Sequence, residues 1–149
     1  MQKILFPTIA FLALAISSFA QETRLLRQPT ISDTHIAFIF GSDLWVTNLE
    51  NQQTQRLTST GAVESHPQFS PDGLTIAFTS NRSGSNAVYT VPVDGGSPTR
   101  LTWHPASASV RCWTPDGKNI VYTSSRETAP ADYGRLWTVS KDGDPSVLL

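Results

Sequence analysis

The 149-residue sequence predicts an all-β protein of β-propeller blades, three four-stranded antiparallel meanders that form an incomplete ring. Two observations predict it. Four landmarks return three times in one order, and no 3.6-residue apolar period occurs beyond the first twenty residues.

The first landmark is a turn. Phe69-Ser70-Pro71-Asp72-Gly73 recurs 44 residues later as Trp113-Thr114-Pro115-Asp116-Gly117. The proline presets φ for the second turn position, the aspartate caps nearby N–H groups, and the glycine accepts the positive φ that closes a tight hairpin. The second landmark is an apolar triplet, Ile36-Ala37-Phe38, then Ile76-Ala77-Phe78, then Ile120-Val121-Tyr122. The third is a pair: Leu44-Trp45, Val88-Tyr89, Leu136-Trp137. The fourth is Arg56-Leu57-Thr58, Arg100-Leu101-Thr102 and a weaker Val147-Leu148-Leu149.

Segments between the turns alternate and favour β-branched and aromatic residues. In the middle copy they predict strands near Pro67–Phe69, Thr75–Ser80, Ala87–Val93 and Thr99–Thr102, separated by turn clusters at Asn81-Arg82-Ser83-Gly84 and Asp94-Gly95-Gly96. The blades fall at about 25–58, 66–102 and 108–149. A meander with apolar residues on both faces must stack against neighbours, and propellers close with roughly 4 to 8 blades. Three blades leave the ring open, so the chain is expected to be the amino-terminal part of a longer protein whose remaining blades are its first partners.

The opening twenty residues are of another kind. Lys3 precedes an apolar stretch from Ile4 to Ile16, and Ser18 and Ala20 stand at the −3 and −1 positions of a cleavage site before Gln21. This reads as a signal peptide over 1–20. Its apolar stretch of about 13 residues is shorter than the roughly 20 a membrane-spanning helix needs. The mature chain is therefore expected to be exported, periplasmic or extracellular, and free of the membrane. No cysteine follows the cleavage point to carry a lipid.

Eleven basic and twelve acidic residues are scattered without runs, which excludes the cationic stripe nucleic-acid binding requires. Cys112 has no partner for a disulfide and, beside Trp113, is expected to be a small packed side chain. His35, His66 and His104 are isolated beside turns or prolines and lack the close second ligand of a zinc site. Asp72 and Asp116 share one turn position in successive repeats, so they read as caps and not as an acid/base pair. Neither a Gly-x-Ser-x-Gly elbow nor a His-Glu-x-x-His motif occurs. Asn81-Arg82-Ser83 fits a glycosylation acceptor pattern, but a hairpin loop explains it as well. No residue is thus assigned a catalytic, cofactor-binding or metal-binding role. Trp45, Trp113 and Trp137 fall at repeat positions and are expected between blades. Trp103 does not follow the repeat, and its place in a connection between blades makes it the candidate partner contact.

The segments Leu25-Leu26-Arg27-Gln28-Pro29, Ile36-Ala37-Phe38, Asp43-Leu44-Trp45, Gln55-Arg56-Leu57-Thr58, Pro67 to Gly73 and Trp113 to Gly117 together resemble the start of the first, six-bladed propeller of bacterial tricorn-type serine proteases. The resemblance covers Leu25 to Leu149. It implies a parent chain with two propellers, a PDZ-like module and a carboxy-terminal region with a serine nucleophile and a histidine, assembled as a homo-oligomer. In such a parent the propellers filter and pass peptides, and no cofactor is implied. No position here matches the family's catalytic segments. The Ser-Pro-Asp-Gly repeat is shared by TolB-type proteins and by propellers of prolyl-oligopeptidase-like enzymes. TolB proteins place an α/β domain before their propeller, whereas here a blade follows the signal segment directly. An exported TolB-like binding propeller without enzymatic activity, and the propeller of a prolyl-oligopeptidase-like hydrolase, remain the alternatives.

Overall fold

The computed structural model describes residues 26–128 and 133–149, and the expected signal segment lies outside them. Twelve strands form three sheets, each a four-stranded antiparallel meander in chain order. The first sheet holds β1 (Arg27–Ile31), β2 (His35–Phe40), β3 (Asp43–Asn48) and β4 (Thr54–Arg56). The second holds β5 (Glu64–Phe69), β6 (Thr75–Ser83), β7 (Ser85–Pro92) and β8 (Thr99–Arg100). The third holds β9 (Ala108–Trp113), β10 (Asn119–Ser124), β11 (Arg135–Ser140) and β12 (Val147–Leu148).

The proline turns act as their chemistry demands. Asp72 accepts the Ser70 hydroxyl at 2.5 Å and the Leu74 N–H at 3.0 Å, and Asp116 accepts from Thr114 at 2.6 Å and Lys118 at 3.1 Å. These hydrogen bonds, the hydroxyl first, hold both carboxyls below the usual aspartate range. Gly73 stands at φ +71°, and a Cβ there would lie 3.4 Å from the Ser32 side chain. Gly117 bears on Pro71 in the same way. The first turns of successive sheets therefore touch, so the three sheets point the same end the same way.

Alternation on β6 and β7 gives the middle sheet two apolar faces. Ile76, Phe78, Ala87, Tyr89 and Val91 face the first sheet and meet Ala37, Ile39, Leu44, Val46 and Leu57. Ala77, Val88 and Leu101 face the third sheet and meet Val110, Trp113, Ile120, Tyr122 and Trp137. The second and third sheets each turn their bulkier face toward the sheet before them. The outer faces of the first and third sheets have no sheet against them among the described residues. Trp45 is therefore only half-buried, edge-on to Phe40 with ring centroids 6.0 Å apart, and does not join an interface as expected.

Three local readings need correction. Cys112 is exposed, because Trp113 takes the inward position and Cys112 lies opposite Val121 on the uncovered face. β5 begins at Glu64, not Pro67, since a bulge carries the strand through His66 and Pro67. The Asn81–Gly84 cluster does turn, the Gly84 N–H donating to the Asn81 carbonyl at 2.9 Å, although β6 is extended to Ser83, opposite Ser85, past an irregularity after Ser80. In the last strand the equivalent of Arg56 is Leu148, one residue later than the landmark placed it, because the Leu149 N–H donates to Leu136 as the Leu57 N–H does to Leu44.

Two-sided burial of the middle sheet has a measurable consequence. Native-state hydrogen exchange on this chain is expected to be slowest in β6 and β7, by about tenfold or more over β2, β3, β10 and β11. Uniform protection across the three sheets would contradict this packing scheme.

Candidate functional site

Two regions bring polar chemistry together: the row of first strands and the end of the sheets opposite the proline turns. The sheets approach one another largely through their first strands, with β5 touching β1 on one side and β9 on the other. These are edge strands, paired on one side only. Each is bulged. Gln28 and His66 adopt left-handed backbone at φ 51° and 52°, each directly before a proline, where the chain is ordinarily confined to extended conformations. The His66 N–H donates to Gln28 Oε1 at 2.7 Å, tying one bulge to the next. In the third sheet the bulge falls at Arg111, which donates to the Thr123 hydroxyl at 3.1 Å. Burial, and then the charge of Arg111, lower the His66 pKa below the usual histidine value, so its ring is neutral near pH 7. Its Nδ1 is buried without a hydrogen-bond partner.

At the opposite end lie the β2–β3, β6–β7 and β10–β11 connections and the crossings between sheets. Glu64 and Arg82 form a buried pair there at 2.7 Å, and the guanidinium also lies 5.4 Å from the Phe78 ring and 4.8 Å from that of Tyr89. Burial pushes the Glu64 pKa above the usual glutamate value, opposed by Ser80 and Arg82. Asn81, read as a glycosylation acceptor, uses its Oδ1 to accept the Val63 N–H at 2.8 Å. Arg56 pairs with Asp43 at 2.6 Å. Arg126 lies 4.0 Å over the ring of buried Trp137 and bonds Glu127 at 3.0 Å. Trp103 is the most open of the large apolar side chains described, at 74% exposure, and is held from one side by Arg100 at 4.6 Å.

None of the histidines joins a nucleophile to a carboxylate among the described residues. His35 bonds Thr34 and Asn48, and the His104 ring bonds the Ala106 N–H. Nor do three His, Cys, Asp or Glu side chains converge anywhere in that set. Sequence reasoning singled out Trp103 as a candidate partner contact but not Arg100 beside it or the linked bulges at Gln28 and His66. The repeat itself carried the signal for Arg100, since Asp43 in the first copy is replaced by Ala87 in the second.

The Glu64–Arg82 pair fixes the entry of β5 and supplies a test. Arg82→Met keeps the aliphatic stem over Phe78 and Tyr89 but strands a buried carboxylate, and should cost about 3 kcal/mol near pH 7. Loss of Arg82 raises the Glu64 pKa further above its unfolded value, so the deficit should shrink as pH falls toward the ordinary glutamate range. Denaturant unfolding at neutral and mildly acidic pH checks this, and a deficit that grows on acidification would refute it.

Comparison with known proteins places the chain. The family model described as the tricorn protease N-terminal beta propeller domain matches residues 23–149. Tricorn protease homolog 1 of Streptomyces coelicolor is 36% identical over 89 residues, covering 59% of this chain and 8% of that protein. The crystal structure of the tricorn protease superposes with a TM-score of 0.73 at 26% identity, covering 84% of this chain and 13% of that one. The Tol-Pal system protein TolB of Bordetella pertussis is 43% identical over 42 residues, 28% of this chain and 10% of that protein. The chain thus spans a small part of the length of the relatives it matches.

Proposed function

The chain belongs to the family of tricorn protease N-terminal β-propeller domains, and on that premise we propose that it is the non-catalytic propeller segment of an exported tricorn-like serine peptidase. In this reading it forms part of a wall that peptides pass, and its partners are the rest of the parent chain, copies of the parent in a homo-oligomer, and those peptides. The observation that carries the reading is the row of edge strands β1, β5 and β9, side by side and bulged, bearing Gln28, His66 and Arg111. An edge strand leaves N–H and C=O groups unpaired on its free side, and an extended peptide is the chain best matched to them. Bond cleavage belongs elsewhere in the parent, because catalysis needs an activated nucleophile with its base in reach. Trp103 serves in this scheme as a contact for a partner polypeptide.

In the full-length protein, Arg111→Glu should change kcat/KM for peptides of about ten residues or more by roughly threefold or more, with a chromogenic dipeptide unaffected. Equal effects on both substrates, or none on either, would count against the wall. Export rests on residues 1–20 and their cleavage pattern. Amino-terminal sequencing of the mature protein should begin at Gln21, and recovery of a soluble product that retains Met1 would refute it.

The TolB-like reading, a binding propeller without enzymatic activity, draws on the 43% identity over 42 residues. The downstream reading frame decides between them. A PDZ-like module and a serine peptidase region support the first reading, and their absence from a complete frame supports the second.

A further inference from the structure

Arg56 and Arg100 occupy the same position of the repeat. Each lies opposite an aromatic residue on the third strand of its sheet, Trp45 and Tyr89. Each donates its Nε–H to the carbonyl two residues on, Thr58 at 2.7 Å and Thr102 at 2.6 Å. The two part at the terminal nitrogens. Arg56 Nη2 donates to Asp43 Oδ2 at 2.6 Å. In the second sheet the place of Asp43 is taken by Ala87. The register fixes this: Asp43 pairs with Phe40 and Ala87 with Ser80, and the next residue, Leu44 or Val88, gives its N–H to the hydroxyl of Thr58 or Thr102. Arg100 therefore meets no carboxylate among the described residues, and its guanidinium lies over Trp103 instead.

We infer that Arg100 and Trp103 form a docking site for an acidic segment of a partner polypeptide. One side-chain carboxylate pairs with the terminal nitrogens of Arg100, which Asp43 occupies on Arg56, and an adjacent apolar side chain covers the open face of the Trp103 ring. A guanidinium fixed by its own Nε hydrogen bond and by an aromatic plate is pre-organised to receive a carboxylate. The surrounding charges favour the same partner. At this end of the sheets Asp43, Glu64 and Glu127 are already engaged by Arg56, Arg82 and Arg126. The opposite end carries the turn carboxylates Asp72 and Asp116 and, on the β3–β4 side, Glu50. An acidic segment is thus steered to the Arg100 end and away from the other. A polynucleotide fits poorly, because two guanidiniums without a carboxylate, Arg100 and Arg135, beside three neutralised ones make no phosphate-tracking stripe.

The inference rests on the reading of Trp103 as a contact given above, and the test separates the two. Fluorescence anisotropy on the full-length protein would use a labelled, amide-capped peptide alternating glutamate and leucine, its glutamine counterpart, and a single-stranded oligonucleotide. The glutamate peptide should bind at least about tenfold tighter than the glutamine peptide, and lose that advantage in about 0.5 M salt. Ala87→Asp, which places a carboxylate on Arg100 as in the first sheet, should weaken it about tenfold and leave the glutamine peptide unchanged. Trp103→Ala should weaken both peptides. Should the buried Ala87→Asp change prevent folding, Arg100→Gln and the exposed Trp103→Ala carry the test. Glutamate and glutamine peptides that bind alike and both depend on Trp103 would overturn the acidic partner and keep the contact. Binding that is absent, or indifferent to all three variants, would overturn both. An oligonucleotide that binds tighter with the same residue dependence would replace the polypeptide with nucleic acid.

Discussion

A sheet that carries apolar residues on both faces of its central strands needs a neighbour on each side, and nearly everything else in this chain follows from how that need is met. In the middle sheet Ile76, Phe78, Tyr89 and Val91 form a bulky face, while Ala77 and Val88 form a shallow one. The third sheet presents Trp113, Tyr122 and Trp137 to the shallow face, and the first presents Ala37 and Ile39 to the bulky one. In both contacts the aromatic side chains come from the later sheet. Such a contact is head-to-tail, so it can be repeated without limit and closes only when the accumulated rotation returns to the start. It also brings the first strands together, which makes β1, β5 and β9 a common edge.

Polar groups secure the same arrangement where the backbone ladder stops short. The fourth strands are only two or three residues long, and beyond them a threonine hydroxyl replaces the missing strand bond: Thr58 accepts the Leu44 N–H and Thr102 the Val88 N–H, each at 2.9 Å. Thr79 does the same between sheets, accepting the Val110 N–H at 2.9 Å. Trp113 adds an indole N–H to the Gln68 carbonyl at 3.0 Å. These bonds satisfy buried donors that would otherwise each cost roughly 1–3 kcal/mol. They also explain why an arginine stands two residues before Thr58 and Thr102. Its Nε–H holds the threonine carbonyl, which leaves the terminal nitrogens to differ between Arg56 and Arg100.

What the sequence disclosed and what it hid divide along physical lines. The proline turns were legible because their chemistry is local: Pro71, Asp72 and Gly73 determine the hairpin among themselves. The apolar triplets were legible because alternation is a property of one strand. The bulges were not. A left-handed residue is ordinarily announced by glycine, and Gln28 and His66 are held in that conformation by packing of β1 against β5 and by the bond between them. Cys112 was misplaced for a related reason. The bulge at Arg111 shifts the register, so that Cys112 and Val121 share the uncovered face while Trp113 turns inward. Trp45 obeys the repeat, yet its burial depends on a neighbour beyond the described sheets. The proposed Arg100–Trp103 site was half legible: Trp103 stood out by breaking the repeat, whereas Arg100 looked ordinary by keeping it.

The two candidate regions differ in how strain is braced and not in its presence, since Ser42 and Glu127 are also left-handed at the Arg100 end. Non-glycine residues in left-handed conformations cost on the order of 1–3 kcal/mol each and persist only where the surroundings over-determine them. Two of them lie on the common edge, tied across sheets by a hydrogen bond and backed by the bulky core. An edge built that way has little freedom to adapt to a partner, so it suits a wall that many different chains pass. The Arg100–Trp103 end is of the other kind: an exposed ring on a short crossing, with one cation to orient it. Its side chains can close on a partner by rotating about single bonds, without disturbing the sheet-to-sheet contacts. On the proposed reading, selectivity for a particular polypeptide would belong at the adjustable end and passage without selectivity at the rigid edge, and neither role would disturb the core.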